Sequence, residues 1–273
     1  MKSTATTMTK FSLDTDSAEE IRTFYEDKGY VIFESLFSND DIDRTKNQIR
    51  AILESEAERQ LDADAGEQFD TYLEPLFDIS DDYRHNLYNV LQDISSLHRL
   101  AMHDNVFEVM ELFGIEQPAL RDLGGLGLRI DLPGEDEFLS PIHQDVYPMK
   151  AENCLNIWAP LHDVSAENGA LRIYPESHEL GPIPAEEKYV RTYKGNTKQG
   201  IPETYTSDYD GLFAEIDAGD AVVFHPYLLH QSTPNRSNDI RWTATIRFDD
   251  ATDIQWMTEA ENPYIEYRHD ELL

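Results

Sequence analysis

The chain has one cysteine, few basic residues and no long apolar run, and each shortage removes a class of protein. Cys154 alone cannot form an internal disulfide, so a disulfide-built secreted scaffold is excluded and an intracellular, cytoplasmic home is the simpler expectation. No stretch reaches 18 apolar residues, so no membrane span is expected. Met1 to Lys10 is polar and lacks the apolar centre of a secretory signal. Lys and Arg number 22 against 54 Asp and Glu, a formal net charge of −32. Such a surface repels nucleic-acid phosphates and anionic membrane faces alike. Its plain meaning is solubility, perhaps one suited to a salt-rich cytoplasm, ahead of any attraction for a cationic substrate. There is no internal repeat and no low-complexity tract.

What is present divides into a helical half and a strand-rich half. At 273 residues, 40% of them hydrophobic, the chain suits one domain over 1–273. Residues 1–16 read as a flexible polar tail. Residues 17–117 read as a helical buttress. Ser17 to Lys28 carries an N-cap and, at Glu20, a capping box. Ser38-Asn39-Asp40 caps a second helix with Ile42, Ile49, Ile52 and Leu53 on one face. Tyr83 to Ile94 gives another stripe, and Val106 to Phe113 a further one stopped by Gly114. Between them Tyr30 to Glu34 is a short strand, and Leu61 to Asp78 is patterned as loop.

After Pro118 short strand-like runs alternate with Gly, Pro, Asn and Asp turns. They are Leu126–Leu132, Ser140–Tyr147, Cys154–Pro160, Ala170–Tyr174, Leu212–Ile216, Ala221–Phe224 and Arg241–Phe248. This order predicts a mainly β fold with flanking helices. Its core is a jelly roll over 118–250, cupin-like, a double-stranded β-helix buttressed by the N-terminal α-helices. Residues 179–210 are too long for a plain loop and are expected to form a lid or insertion over the barrel mouth.

His143-Gln144-Asp145 lies in this second half, and His230 follows 85 residues after the aspartate. Two imidazoles and one carboxylate are the ligand set of a mononuclear non-haem Fe(II) oxygenase. On a strand, positions 143 and 145 share a face. Such a set fills three adjacent corners of an octahedron and leaves three for O2 and a chelating cosubstrate. His-x-Asp alone is short enough to arise by chance on a surface strand; His230 and its surroundings give it weight.

Those surroundings are His230-Gln231-Ser232-Thr233-Pro234-Asn235-Arg236, with Arg241 lying 11 residues past the histidine. With Tyr30-Val31-Ile32-Phe33-Glu34, Pro141-Ile142-His143-Gln144-Asp145, Trp158-Ala159-Pro160-Leu161-His162-Asp163-Val164, Glu167-Asn168-Gly169-Ala170-Leu171-Arg172, Pro175-Glu176-Ser177-His178 and Gly219-Asp220-Ala221-Val222-Val223-Phe224-His225, the chain resembles the phytanoyl-CoA dioxygenase-like family of Fe(II)/2-oxoglutarate oxygenases. The motifs run in family order from about residue 17 to 250. The resemblance implies iron held by His143, Asp145 and His230, and the far carboxylate of 2-oxoglutarate held by Arg241 and Ser232. It implies the ligand role for His230 over nearby His225, which is left as structural or as a neighbour that fixes a ligand's tautomer. It also implies an order in which 2-oxoglutarate chelates iron, substrate binds and O2 enters last. Succinate and CO2 leave, and hydrogen is taken from an unactivated carbon. Halogenases of the superfamily lack the metal-binding carboxylate, so Asp145 predicts hydroxylation and not chlorination.

Each remaining residue carries two readings. Arg241, Thr243, Thr245 and Arg247 alternate with Trp242, Ala244, Ile246 and Phe248, giving one polar and one apolar face. A polar face turned into a barrel is costly unless something binds there, and a guanidinium suits a carboxylate; the dull alternative is a solvated face. Arg247 is expected to meet an internal acid or the substrate. Asn156 and Trp158 share a strand face toward the cosubstrate, though Trp158 is equally read as ordinary core. Arg129 and Asp131 share another face, as substrate contacts or, more simply, a structural salt bridge. Tyr147 has the parity of the ligands and is placed at the mouth. Gly169 suits a turn of positive φ, and Asn168 to Ala170 and Ser177-His178 read as turn-formers. His85, His98, His103 and His269 read as helix surface or packing.

The function expected is a hydroxylase of a small polar or cationic metabolite or a natural-product intermediate, using Fe(II), 2-oxoglutarate and O2. Desaturation, cyclisation or epimerisation are alternatives from the same cofactors. A non-oxidative cupin-like isomerase or sensor is the alternative of another class. Coenzyme A esters are disfavoured by the acidic surface, Lys188, Arg191, Lys194 and Lys198 being the nearest basic group. The sequence leaves the oligomeric state open.

Overall fold

A computed structural model describes residues 8–63, 65–121, 125–146, 149–192 and 195–255, with backbone alone from 186 to 199. β1 (Lys10–Phe11) precedes α1 (Ala18–Lys28). Ser17 caps α1, its Oγ accepting from the Glu20 N–H. Glu20 meets the Ser17 hydroxyl and not its N–H, so half of the expected capping box forms. β2 (Tyr30–Phe33) leads to α2 (Asn39–Leu61), where Ser38 and Asp41 do make the full reciprocal box.

The stretch expected to be loop contains α3 (Leu73–Phe77), a single turn or so anchored by buried Leu73, Leu76 and Phe77. The stripe read as one helix to Ile94 is two, α4 (Asp81–Gln92) and α5 (Ser95–Ala101). The chain breaks at Asp93, and Ile94 turns extended as the N-cap of α5. α6 (Asp104–Leu112) ends before Gly114, whose φ of +75° is the left-handed stop that glycine takes without a Cβ penalty.

The strands then follow as β3 (Pro118–Leu120), β4 (Leu126–Asp131), β5 (Cys154–Pro160), β6 (Arg172–Ile173), β7 (Glu186–Thr192), β8 (Gly195–Gly200), β9 (Leu212–Phe213), β10 (Ala221–Phe224), β11 (His230–Gln231) and β12 (Arg241–Asp250). The larger sheet runs β1-β2-β10-β5-β12-β3, with β4 also paired to β12; the smaller is β11-β6-β9. The helices lie outside the larger sheet, and the two sheets form the jelly-roll core. The N-terminal half is therefore not purely a buttress. Lys10 and Phe11, read as tail, pair in parallel with Ile32 and Phe33, and Lys10 bonds Asp217 and Asp220. Residues 1–7 lie outside the described residues.

β12 is the member that joins core to site. It pairs with β5 on one side and with β4 and β3 on the other. Trp242, Ala244, Ile246 and Phe248 enter the main apolar cluster with α2, α4 and α6, as the alternation predicts. Burying side chains the size of Ile246 and Phe248 contributes on the order of 1.5–3 kcal/mol each. The opposite face, Arg241, Thr243, Thr245 and Arg247, is thereby aimed into the roll.

Of the expected strand Ser140–Tyr147, the described residues 140–146 do not form a strand. Their ladder is one isolated bridge, His143 to His230, with N–H to O distances of 3.0 and 3.1 Å in the two directions. Pro141 has no N–H to donate, and the Asp145 N–H turns to Pro226 O at 3.0 Å. The ligands still converge because both ends of this loop are pinned to the 226–230 segment. Residues 179–210 hold the β7–β8 hairpin, beside the 3-10 turn Asp136–Phe138. Lys194 and His269 lie outside the described residues, as do the side chains of Lys188, Arg191 and Lys198. Among the described residues no helix is long and apolar enough to cross a membrane.

Candidate metal centre

Gln144 explains why the residues on either side of it face the same way. Its side chain is fully buried and points away from them. Nε2 donates to Gly181 O (2.9 Å) and Tyr227 O (2.6 Å), and Oε1 accepts from Ile183 N–H (2.8 Å). His143 and Asp145 are left to project into the roll, where β11 brings His230. Asp145 Oδ1 is 3.5 Å from His143 Nε2, and Oδ2 is 3.8 Å from His230 Nε2. One donor atom from each residue lies within 4.8 Å of the others, and among the described residues no other His, Cys, Asp or Glu cluster does this.

Both ring tautomers are set by the backbone. His143 Nδ1 donates to Pro141 O at 2.8 Å and His230 Nδ1 to Leu228 O at 3.0 Å. That leaves both Nε2 lone pairs facing the centre, the arrangement a metal requires. Burial, and then the neighbouring His143, push His230 down to about 3, so it is neutral at physiological pH. Burial alone would raise Asp145, but Arg247, His230 and His143 hold it well below the ordinary carboxylate range. Neutral His230 and ionised Asp145, with His143 Nε2 beside them, are a donor set suited to Fe(II).

The surrounding wall consists of Arg129, Ser140, Asn156, Trp158, Leu171, Phe224, Ser232, Thr245 and Arg247, among others. Ser232, Asn156 and Trp158 all line this cavity. Trp158 also packs with Val222, Phe224 and Ile173, as the ordinary-core reading has it. Arg247 meets an internal acid, its Nε donating to Asp145 Oδ2 at 2.9 Å.

Arg241 is buried deeper, its guanidinium carbon 5.8 Å from the Trp158 ring centre. It donates to Gly169 O through Nη1 and to Asp131 through Nη2 at 2.5 Å. Gly169 has φ +90°, as expected, and a Cβ there would meet Thr233 O at 2.9 Å. Asp131 also accepts from Arg129 at 2.7–2.9 Å. Arg129 and Asp131 are therefore the salt bridge of the simpler reading, extended to Arg241. Tyr147 lies outside the described residues.

Three buried polar atoms have no partner: Asn156 Oδ1 on this wall, and Arg241 Nε and Thr243 Oγ1 behind it, on the β12 face that also carries Thr245 and Arg247. A buried orphan is costly, so the last two are donors awaiting an acceptor. A carboxylate fits them. Thr243 was named by the sequence only as part of a polar face; its place two residues after Arg241 on one strand face is the signal that marks it.

His225 stands apart from the ligands. It packs against His178 and Tyr227, and its Nδ1 accepts from Tyr227 N–H at 3.1 Å. With His178, Arg22 and Glu111 it lines a larger hollow of about 630 Å³ between α1 and α6. Size does not make that hollow the chemical site, because it brings together no ligand triad.

A jelly roll offering two histidines and one carboxylate beside a buried arginine defines the class of Fe(II)/2-oxoglutarate oxygenases. The family model described as Phytanoyl-CoA dioxygenase (PhyH) matches residues 25–243, and the chain belongs to that family. It is 32% identical over 109 residues to 1-deoxypentalenic acid 11-beta-hydroxylase of Streptomyces arenae, covering 38% of each chain. It is 26% identical over 236 residues to peroxisomal phytanoyl-CoA dioxygenase of Rattus norvegicus, covering 81% of this chain and 65% of that one. The chain spans less than two thirds of the length of either relative. The epimerase SnoN, solved with Fe3+, alpha ketoglutarate and nogalamycin RO, shares the fold at TM-score 0.59 and 18% identity, over 86% of this chain and 84% of that one.

Proposed function

We propose that this chain is one catalytic domain, an Fe(II)- and 2-oxoglutarate-dependent dioxygenase that hydroxylates an unactivated carbon of a small polar molecule. The observation that carries it is the pairing of two features inside one roll. One is a His143–Asp145–His230 triad with both Nε2 lone pairs presented inward. The other is the set of partnerless donors on Arg241 and Thr243 a few residues along β12.

In this reading His143, Asp145 and His230 hold the iron, which when bound supplies the oxidising power that protein side chains lack. Arg241 and Thr243 seat the far carboxylate of 2-oxoglutarate, with Ser232 nearer the mouth. Asp131 acts through Arg241, fixing the guanidinium from behind. Arg129, clamped by Asp131, keeps a second positive charge at the wall. Trp158 and Leu171 exclude water. The hydrogen-bonding groups of Arg129, Ser140, Asn156, Ser232 and Arg247 in the lining favour a small substrate with polar groups over a long acyl chain, and the hydroxylase of S. arenae is a relative named for a carboxylic acid.

The test is turnover of 2-oxoglutarate by iron-loaded protein in air, followed by a mass screen of a metabolite extract. Succinate released without substrate, and a substrate that gains one oxygen, are the expected results. Loss of two hydrogens would redirect the reading to desaturation, and a chlorine isotope pattern would remove Asp145 from the metal. No succinate from metal-loaded protein would leave the non-oxidative class.

A further inference from the structure

Arg247 is a buried-wall cation whose role the triad alone does not explain. It sits near the end of β12, paired in register with Asn156 of β5, so its stem is held by a two-sided sheet. Its Nε donates to Asp145 Oδ2 at 2.9 Å, while Asp145 Oδ1 lies on the side of His143. Both side chains are largely sequestered, at 19% and 4% exposure. A carboxylate offers two oxygens a short distance apart, and it binds a metal through one or both with little to choose between them. A charge-assisted hydrogen bond from a fixed donor removes that indifference, because the oxygen that accepts it has given up its best lone pair.

Resting on the oxygenase reading above, we propose that Arg247 is a positioning residue that restricts Asp145 to one metal contact. The consequence is arithmetic. A facial set with a one-oxygen carboxylate takes three of six positions, 2-oxoglutarate takes two, and one is left for a small molecule. A carboxylate binding through both oxygens would fill that last position. Arg247 thus guards the vacancy and touches neither the cosubstrate nor the reacting carbon in this role.

The experiment uses the full-length protein loaded with Mn(II) and 2-oxoglutarate, and reads the number of exchangeable waters on the metal by water-proton relaxation. The variants are Arg247→Met, which keeps the stem without the donors, and Arg247→Lys, which keeps a charged donor. Wild type should show one water. Arg247→Met should bind Mn(II) within about threefold of wild type yet lose most of the inner-sphere relaxation, and with Fe(II) its affinity for nitric oxide should drop by tenfold or more. Arg247→Lys should restore at least half of the relaxation. Arg247→Gln, smaller and still polar, repeats the measurement should the methionine variant fail to fold. An unchanged water count in Arg247→Met, or loss of Mn(II) binding by a folded Arg247→Met, overturns the proposal. Failure of wild type to bind Mn(II) and 2-oxoglutarate together would instead overturn the oxygenase reading on which it rests.

Discussion

Arg241 and Asp131 are paired inside the roll at 2.5 Å, guanidinium to carboxylate, with Arg129 closing on the same carboxylate from the other side. Burial opposes the charge on Asp131, yet Arg129 and Arg241 hold its carboxyl below the ordinary range, so all three groups are ionised. The trio carries a net single positive charge, matched to one incoming carboxylate. Arg241→Ala should weaken 2-oxoglutarate binding by about 2–5 kcal/mol, roughly thirtyfold or more. Arg241→Lys should recover part of this, because an ammonium lacks the planar fork. Titration calorimetry of the Mn(II)-loaded variants measures both, and an unchanged affinity in Arg241→Ala would remove the arginine from the cosubstrate seat.

Thr243→Val keeps the shape of the side chain and deletes the partnerless hydroxyl. The expected loss for 2-oxoglutarate is about 1 kcal/mol, near fivefold, with stability unchanged or slightly raised since the hydroxyl has no partner within the protein. The same titration on Ser232→Ala separates the two hydroxyls. A loss in Ser232→Ala alone would return the role to the residue that the sequence motif favours.

Substituting any one ligand, by His143→Ala, Asp145→Ala or His230→Ala, should abolish stoichiometric Fe(II) binding while leaving the circular dichroism spectrum intact. His225→Ala should retain the metal, since its ring faces His178 and Tyr227 and not the triad. Iron titration under argon decides the matter. Metal loss in the His225 variant together with retention in the His230 variant would reverse the assignment.

His225 is pushed down to about 4 by burial and then by His178. Between that value and the ordinary 6.5, the unfolded chain takes up a proton that the folded protein refuses. Stability is therefore complete above about pH 6.5 and falls as pH drops toward 4. From pH 7 to 5 the loss from this one group should be about 2 kcal/mol. His225→Gln supplies an acceptor for Tyr227 N–H without titrating, so urea unfolding of the metal-free variant should show a flatter pH dependence. A slope equal to wild type would refute this.

A formal charge of −32 makes the folded surface self-repelling. Raising salt from 0.01 to 1 M shortens the screening length from about 30 to 3 Å, so the unfolding temperature should climb over that range. A fall would mean that ion pairs such as Lys10–Asp220 and Arg84–Glu135 outweigh the repulsion.

The parts of the fold that were legible in the sequence are those written in local periodicity. Trp242, Ala244, Ile246 and Phe248 announce their face, and Ser38-Asn39-Asp40 announces a helix start. The His143–Asp145–His230 cluster was legible from residue type and from the motif around His230, while the strand parity first used to bring 143 and 145 together is replaced by bonds from the loop to His230 and Pro226. What failed depended on distance. Asp131 and Arg129 look like a local pair until β12 brings Arg241, 110 residues away, onto the same carboxylate. Ser140–Tyr147 alternates like a strand, but the Asp145 N–H finds Pro226 O and the ladder never extends. β6, β9 and β11 are two residues each, too short for any period to register.

The reciprocal main-chain bonds between His143 and His230 fasten two of the three proposed ligands to each other through peptide groups, and their rings are braced on Pro141 and Leu228 carbonyls. A brace made of peptide groups does not depend on the side chains it presents. Either imidazole can therefore be exchanged for another side chain while the two segments stay fastened, so the spacing of this pocket belongs to the backbone and its chemistry to whatever residues that backbone displays.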